Sequence, residues 1–281
     1  MSAHSAPQLK QIACLRRKSN LTRKEFFDYH FQVHGSISDE PADADQKPHK
    51  YIQTHFFDAA FGEKQDSVKG TGNHAWTGRD DMTELYFRDW AHLKACFGSE
   101  YVRTRIGPDG ANFNDLETAI PLMVFEKSLH FSSTVATSEV CEEGDRIVAV
   151  LFVASTGTSE TSAEQLEQRF TPCLVSALGK YAREEVYGLQ ANISVPASQF
   201  DIRAYFGGKH MPEYPVTYKM YMKDSSGMAA VRKAQKAFME ELSGQIDAGN
   251  TFIAFGKEGL VLDAGNGVKV RNTRFWSLRR Y

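Results

Sequence analysis

Three polar side chains, Tyr51, Gln53 and His55, alternate along the run from Lys50 to Phe57. In an extended chain they project to one face, and Ile52, Thr54 and Phe56 project to the other. Helices would cover the apolar row, so the phenol, amide and imidazole are expected to line an interior space. An unpartnered polar group costs about 1–3 kcal/mol in such a place, which makes a functional reason for it worth seeking. His55 titrates nearest neutral pH and is the first candidate for a general acid or base. Tyr51 would donate a hydrogen bond to a developing enolate, with Gln53 as a substrate contact. Glu84 alternates with Met82 and Tyr86 and is expected to share that space with His55. There it would orient the imidazole or act as a base, unless it pairs with Arg16 across the sheet. His30 and His34 stand four apart, the spacing of a helical metal pair. Neither has the flanking Glu of an HExxH pattern and no third ligand suggests itself, so no metal site is expected.

The elements that must position these groups follow from periodicity and caps. Lys10 to Arg17 reads as a strand. Thr22 with Glu25 forms a capping box for a helix through Phe26, Phe27, Tyr29, His30 and Val33 that stops at Gly35, leaving His34 at its C-terminal end. Lys50 to Phe57 is a second strand, and a glycine-rich flap follows through Gly62, Gly70, Gly72 and Gly78. Met82 to Phe87 is a third strand, Asp89 caps a helix to Cys96, and Ile120 to Lys127 is a fourth strand. Asp115 reads as a turn residue before that last strand, with a cap as its structural role, and is with Tyr86 a candidate substrate contact.

Ser132 to Gly144 has a linker's composition, which divides the chain into units at 1–135 and 145–281. Ile147 to Ala154, a helix capped by Ser162 and running to Tyr181, Glu185 to Ile193, Val216 to Met222, a helical stretch Ser225 to Ile246 and Asn250 to Phe255 then repeat the order of the first half. The fold class is therefore α+β: two ferredoxin-like β-α-β-β-α-β units whose antiparallel sheets pack face to face as an α+β barrel, with the pocket between the sheets. Tyr218, with Met220 and Met222, offers an aromatic-binding surface or plain core. His210 reads as a loop residue.

Composition narrows the partners. The 281 residues carry 33 Lys and Arg against 35 Asp and Glu, so no strong field would draw in nucleic acid or an anionic membrane. The partner expected is a small molecule or another chain. Cys14, Cys96, Cys141 and Cys173 show no paired spacing, and no apolar run approaches the roughly 20 residues of a membrane span. A cytoplasmic protein is expected. No phosphate loop, nucleophile elbow or dinucleotide fingerprint appears, which favours chemistry without a cofactor. An apolar cavity holding imidazoles suits proton transfer at an acidic C–H beside a carbonyl, followed by loss of water or ring closure.

Taken together, Arg16-Arg17-Lys18, Leu21-Thr22 with Glu25-Phe26 and Tyr29 to His34, then Tyr51, Gln53 and His55, Glu84 to Phe87, Asp109 to Phe113, Asp115 and Glu126 resemble the EthD-domain proteins of the dimeric α+β barrel superfamily. The resemblance covers roughly residues 10 to 130. The pattern departs from the family where His30 replaces a common Trp and Gly35-Ser36 replaces a Pro. Membership implies paired ferredoxin-like sheets, here paired within one chain, and leaves a homodimer open. It gives His34 a site role, as catalytic acid or ligand contact, with Tyr101 at the pocket mouth. Relatives in aromatic polyketide pathways imply a cofactor-independent dehydratase or cyclase acting on an aromatic or polyketide-like carbonyl compound. A cofactor-free monooxygenase and a non-catalytic binder of hydrophobic ligands are the alternatives.

Overall fold

Strand β1 (Gln8–Leu15) pairs antiparallel with both β3 (Asp81–Phe87) and β4 (Ile120–Leu129), so it lies inside the sheet. β2 (Lys50–Phe61) flanks β3 and joins the second half through β8 (Phe252–Asp263). β8 then pairs with β5 (Ile147–Val153), β5 with β7 (Val216–Met222), β7 with β6 (Val186–Ser194), and β6 returns to β4. The computed structural model describes residues 7–62, 78–156, 161–206 and 211–269, and in it these eight strands close a single antiparallel barrel. The two halves therefore meet edge to edge at two seams, with their inner faces turned toward a common lumen. Most of the expected flap, residues 63–77, and His210 lie outside the described residues.

Local sequence signals account for the helices. The Thr22 hydroxyl accepts from Glu25 N at 3.2 Å and the Glu25 carboxylate accepts from Thr22 N at 2.8 Å, which starts α1 (Arg23–Asp28). The expected stop at Gly35 is not observed. The chain continues through a π-helical segment, Tyr29–His34, into α2 (Gly35–Asp39). Gly35 has φ −59° and ψ −42°, an ordinary right-handed conformation, so it does not provide the left-handed residue that ends many helices. His34 thus lies within a helical segment instead of capping its end. Asp89 caps α3 (Trp90–Gly98), which is followed by a second π segment, Val102–Ile106, and α4 (Gly107–Gly110). In the second half Ser162 caps α5 (Ala163–Tyr181), a short α6 spans Ile202–Phe206, and α7 covers Met228–Glu241.

The lumen is packed with side chains. Ile12, Cys14, Phe56, Met82, Leu122, Val148, Val150, Phe152 and Phe252 form one buried cluster, with Phe152 and Phe252 stacked at 4.6 Å. β2 is therefore oriented opposite to expectation: Phe56 and its row point inward, while Tyr51, Gln53 and His55 face the helices of the first half. The expectation failed because both faces of this strand are buried, so hydrophobicity alone cannot say which one the helices cover. The last strand also runs beyond the expected Phe255 to Asp263. On β5, Ala149, Leu151 and Val153 meet Leu166, Phe170 and Phe238 of α5 and α7.

A buried ionic cluster lies beside the apolar filling. Glu84 bonds Lys10 at 2.7 Å and also Lys219. Lys219 reaches Glu258 at 2.6 Å, and Lys10 reaches Glu126 at 2.6 Å. Glu84 does not pair with Arg16, which bonds Asp115 instead, at 2.6 Å. Burial raises the Glu84 pKa, but the two lysines outweigh that and hold it at about 2. Removing Glu84 takes from both buried lysines the carboxylate they share and leaves the cluster with excess buried positive charge. Glu84→Ala is expected to lower the unfolding free energy by about 3–5 kcal/mol in urea titrations, whereas Lys24→Ala, which breaks an exposed pair with Asp28, costs below about 0.5 kcal/mol.

Candidate active site

A cavity of about 370 Å³ lies between the outer face of the first-half strands and the helices above it. Its floor is Gln11, Ala13 and Leu15 of β1, Tyr51 of β2, and Thr83 and Leu85 of β3. Its roof includes His30, His34, Val102 and Ile106, with Tyr205 and Phe206 of α6 also on the wall. The π-helical segment carries both histidines toward it, their rings 5.6 Å apart. Apolar side chains make up most of the remaining wall.

His34 is the polar group best placed for chemistry here. Its Nδ1 lies 2.8 Å from Asp109 Oδ2, which leaves Nε2 for a ligand. Asp109 Oδ1 accepts from the Tyr29 hydroxyl at 2.7 Å and from Asn112 Nδ2 at 3.0 Å. Burial raises the Asp109 pKa, but the bonds from His34, Tyr29 and Asn112 prevail and hold it at about 2. The carboxylate is therefore anionic at neutral pH and fixes the ring that it touches.

A second set of polar groups runs behind the cavity floor. His30 Nε2 lies 3.0 Å from the Tyr51 hydroxyl, which accepts from Gln53 Nε2 at 2.7 Å. Gln53 Oε1 meets His55 Nε2 at 3.0 Å. His30 Nδ1 is 2.9 Å from Asp81 Oδ2, and His55 Nε2 is 3.9 Å from the same oxygen. Burial dominates this set. It pushes His30 and His55 well below the usual histidine range, with help from their neighbouring imidazoles, and raises Asp81 and Tyr51. Two neutral imidazoles thus brace the wall.

Of the residues expected at the site, His34 and Tyr51 line the cavity, and Gln53 joins Tyr51 from behind. His55 is stacked on Phe27 at 4.1 Å and does not line the cavity. Glu84 and Tyr86 lie on the opposite side of the sheet. The Tyr86 hydroxyl donates to Glu126 at 3.2 Å, so Glu84 and His55 do not share a space. Tyr101 donates to Glu40 at 2.6 Å beside the cavity residue Val102. Asp115 is held by Arg16, and Tyr218 is core beneath α5, 3.0 Å from the Thr171 hydroxyl. Asp109 stands 75 residues from His34 and was missed as its partner. The sequence signal for it was its place in the run Asp109 to Phe113. Among the described residues, no group of three or more His, Cys, Asp or Glu side chains could hold a metal ion.

Residues 18–117 match the family model of the EthD domain. The chain carries an EthD domain. His34, Tyr51 and Asp109 all fall within it, whereas β4 and the second half lie outside the matched segment. An anthrone oxidase-like protein of known structure is similar over 94% of this chain and 97% of its own, with 10% identity and a TM-score of 0.55. A chlorite dismutase variant from Candidatus Nitrospira defluvii covers 90% of this chain and 92% of its own, with 8% identity and a TM-score of 0.45. Comparison with curated protein sequences finds no match. The first likeness extends the shared α+β barrel fold across the EthD-domain chain. No described helix is long and apolar enough to cross a membrane.

The dyad has a measurable acid signature. Asp109 has a folded pKa of about 2 against an ordinary 3.8, so its stabilisation is complete above about pH 4 and is lost as the pH falls toward 2. Asp109→Asn should lower stability at neutral pH and flatten the acid limb of the stability curve between those values, read by thermal melts across pH. An unchanged acid limb would show that the carboxylate is not held by these bonds.

Proposed function

We propose that the EthD-domain cavity binds an aromatic or polyketide-like carbonyl compound and that His34 moves protons on it without a cofactor. The observation that carries this reading is the His34–Asp109 pair on the wall of an apolar cavity, with Nε2 left for the ligand. His34 Nε2 takes a proton from carbon next to the carbonyl, and the C–H electron pair passes into the ring system as an enolate. Asp109 stabilises the imidazolium that forms. The same imidazolium then returns its proton to a departing hydroxyl, which leaves as water. In a cyclase the enolate carbon would instead attack a second carbonyl. Tyr51, Gln53, His30 and His55 act here as positioning residues, and His34 replaces His55 as the base.

The apolar wall favours a delocalised, uncharged ring system over a small hydrophilic acid. A second reading, a cofactor-free oxygenase in which the enolate reacts with O₂, draws support from the name of the anthrone oxidase-like neighbour. The proposal also treats 1–135 and 145–281 as tandem ferredoxin-like units. This is supported by the matching strand orders β4-β1-β3-β2 and β8-β5-β7-β6 around the barrel.

Deuterium exchange into the acidic methylene of anthrone tests the proton step whatever follows it. His34→Ala should slow enzyme-dependent exchange by about 10²–10⁴-fold, and His55→Gln by no more than about threefold. Exchange that survives in His34→Ala but fails in His55→Gln would reject the assignment. Oxygen uptake measured alongside separates the oxygenase from the lyase.

A further inference from the structure

Among the buried side chains with unpaired polar atoms, Gln11 is an amide with neither end satisfied. It lies in the middle of β1, opposite Leu85 of β3 and Met123 of β4, and is fully buried. Neither Nε2 nor Oε1 has a hydrogen-bond partner within the protein, yet the residue lines the cavity beside Ala13 and Leu85. Asn114, at the turn before β4, repeats the pattern: it is 6% exposed, lines the same cavity, and its Oδ1 has no partner. Nearly all buried amides in folded proteins are satisfied, so a glutamine that lines a cavity with both ends of its amide unpaired calls for a ligand.

We infer that Gln11 is the specificity determinant of the cavity, reading a hydroxyl and a carbonyl set side by side on the edge of an aromatic ligand. Its Nε2 donates to the carbonyl oxygen and its Oε1 accepts from the hydroxyl, which a primary amide does with one planar group. Asn114 Oδ1 accepts a second hydroxyl. An amide carries no charge and Gln11 has no cation as a partner, so the recognised edge is neutral: a hydroxyaryl ketone fits better than a carboxylate. The flat apolar body of such a ligand would lie against Leu85, Phe97, Ile106 and Phe206. This inference takes its ligand class from the proposed function, but the recognition step does not depend on turnover.

Binding of 1-hydroxyanthraquinone and of unsubstituted anthraquinone, measured by fluorescence quenching, tests it. The native protein should prefer the hydroxylated probe by about tenfold, the contribution of the one hydrogen bond that its hydroxyl adds. Gln11→Leu should erase that preference and weaken anthraquinone, whose carbonyl loses its donor, by no more than about tenfold. It should also raise the thermal midpoint, because an unpaired amide has been replaced by an apolar side chain of similar size. His34→Ala should retain the preference while losing deuterium exchange. Retention of that preference without exchange in the native protein would overturn the proposed chemistry but support the role of Gln11. A preference that survives Gln11→Leu, or failure of the native protein to bind or to discriminate, would overturn the role of Gln11 whatever the exchange shows.

Discussion

Glu84 between Lys10 and Lys219 is the interaction on which the architecture turns. All three side chains are completely buried, and a buried charge is tolerable only when paired and hydrogen-bonded. Lys10 and Glu84 pair within the first half and Lys219 and Glu258 within the second, and the Glu84–Lys219 bond joins the two pairs across the lumen. Around them, Gln190 donates to Glu126 at 3.0 Å and Tyr221 donates to Gln190 at 2.7 Å, carrying the network to the β4–β6 seam. A slip of one residue in β3 would turn Glu84 toward the helices and take from both lysines the carboxylate that links them. The cluster therefore selects the register in which the barrel closes.

Closure has a consequence for where chemistry can occur. With charges at one place and stacked aromatic rings at another, the described side chains pack the lumen around Glu84. The space is on the other side of the same strands. In the second half α5 and α7 press Phe170, Leu174 and Phe238 onto β5 and β7. In the first half the covering helices are broken by two π segments, and the cavity lies beneath them. Interruptions of this kind often occur at functional sites, because they re-aim side chains within a helix.

The sequence was most legible where a signal is local. Thr22 with Glu25, Asp89 and Ser162 mark helix starts by hydrogen bonds that reach only three residues ahead, and all three caps are present. The polar row on β2 was correctly grouped but assigned to the wrong side. Alternation reports that two faces differ, and in a barrel covered by helices both faces are buried. Gly35 misled because a glycine marks a helix end only when its φ is positive, which composition does not reveal. Lys10 and Lys219 share Glu84 through contacts across 74 and 135 residues, which no local pattern reports. The same holds for Asp109 and His34.

His30 and His34 show why spacing could not identify the reacting group. Both sit on one π-helical segment and both touch the cavity, and each has a carboxylate oxygen within 2.9 Å. Their carboxylates differ. Asp109 receives donors from Tyr29 and Asn112, which keep it charged and able to stabilise an imidazolium. Asp81 is fully buried beside Asp80, and burial pushes it toward the neutral acid, so it offers His30 little electrostatic support. His30 is itself desolvated and engaged with Tyr51, which holds it neutral. A base must gain a proton and lose it again within one cycle. Of the two rings, His34 is the one set against a charged carboxylate, and that difference comes from the second carboxylate oxygen and its donors.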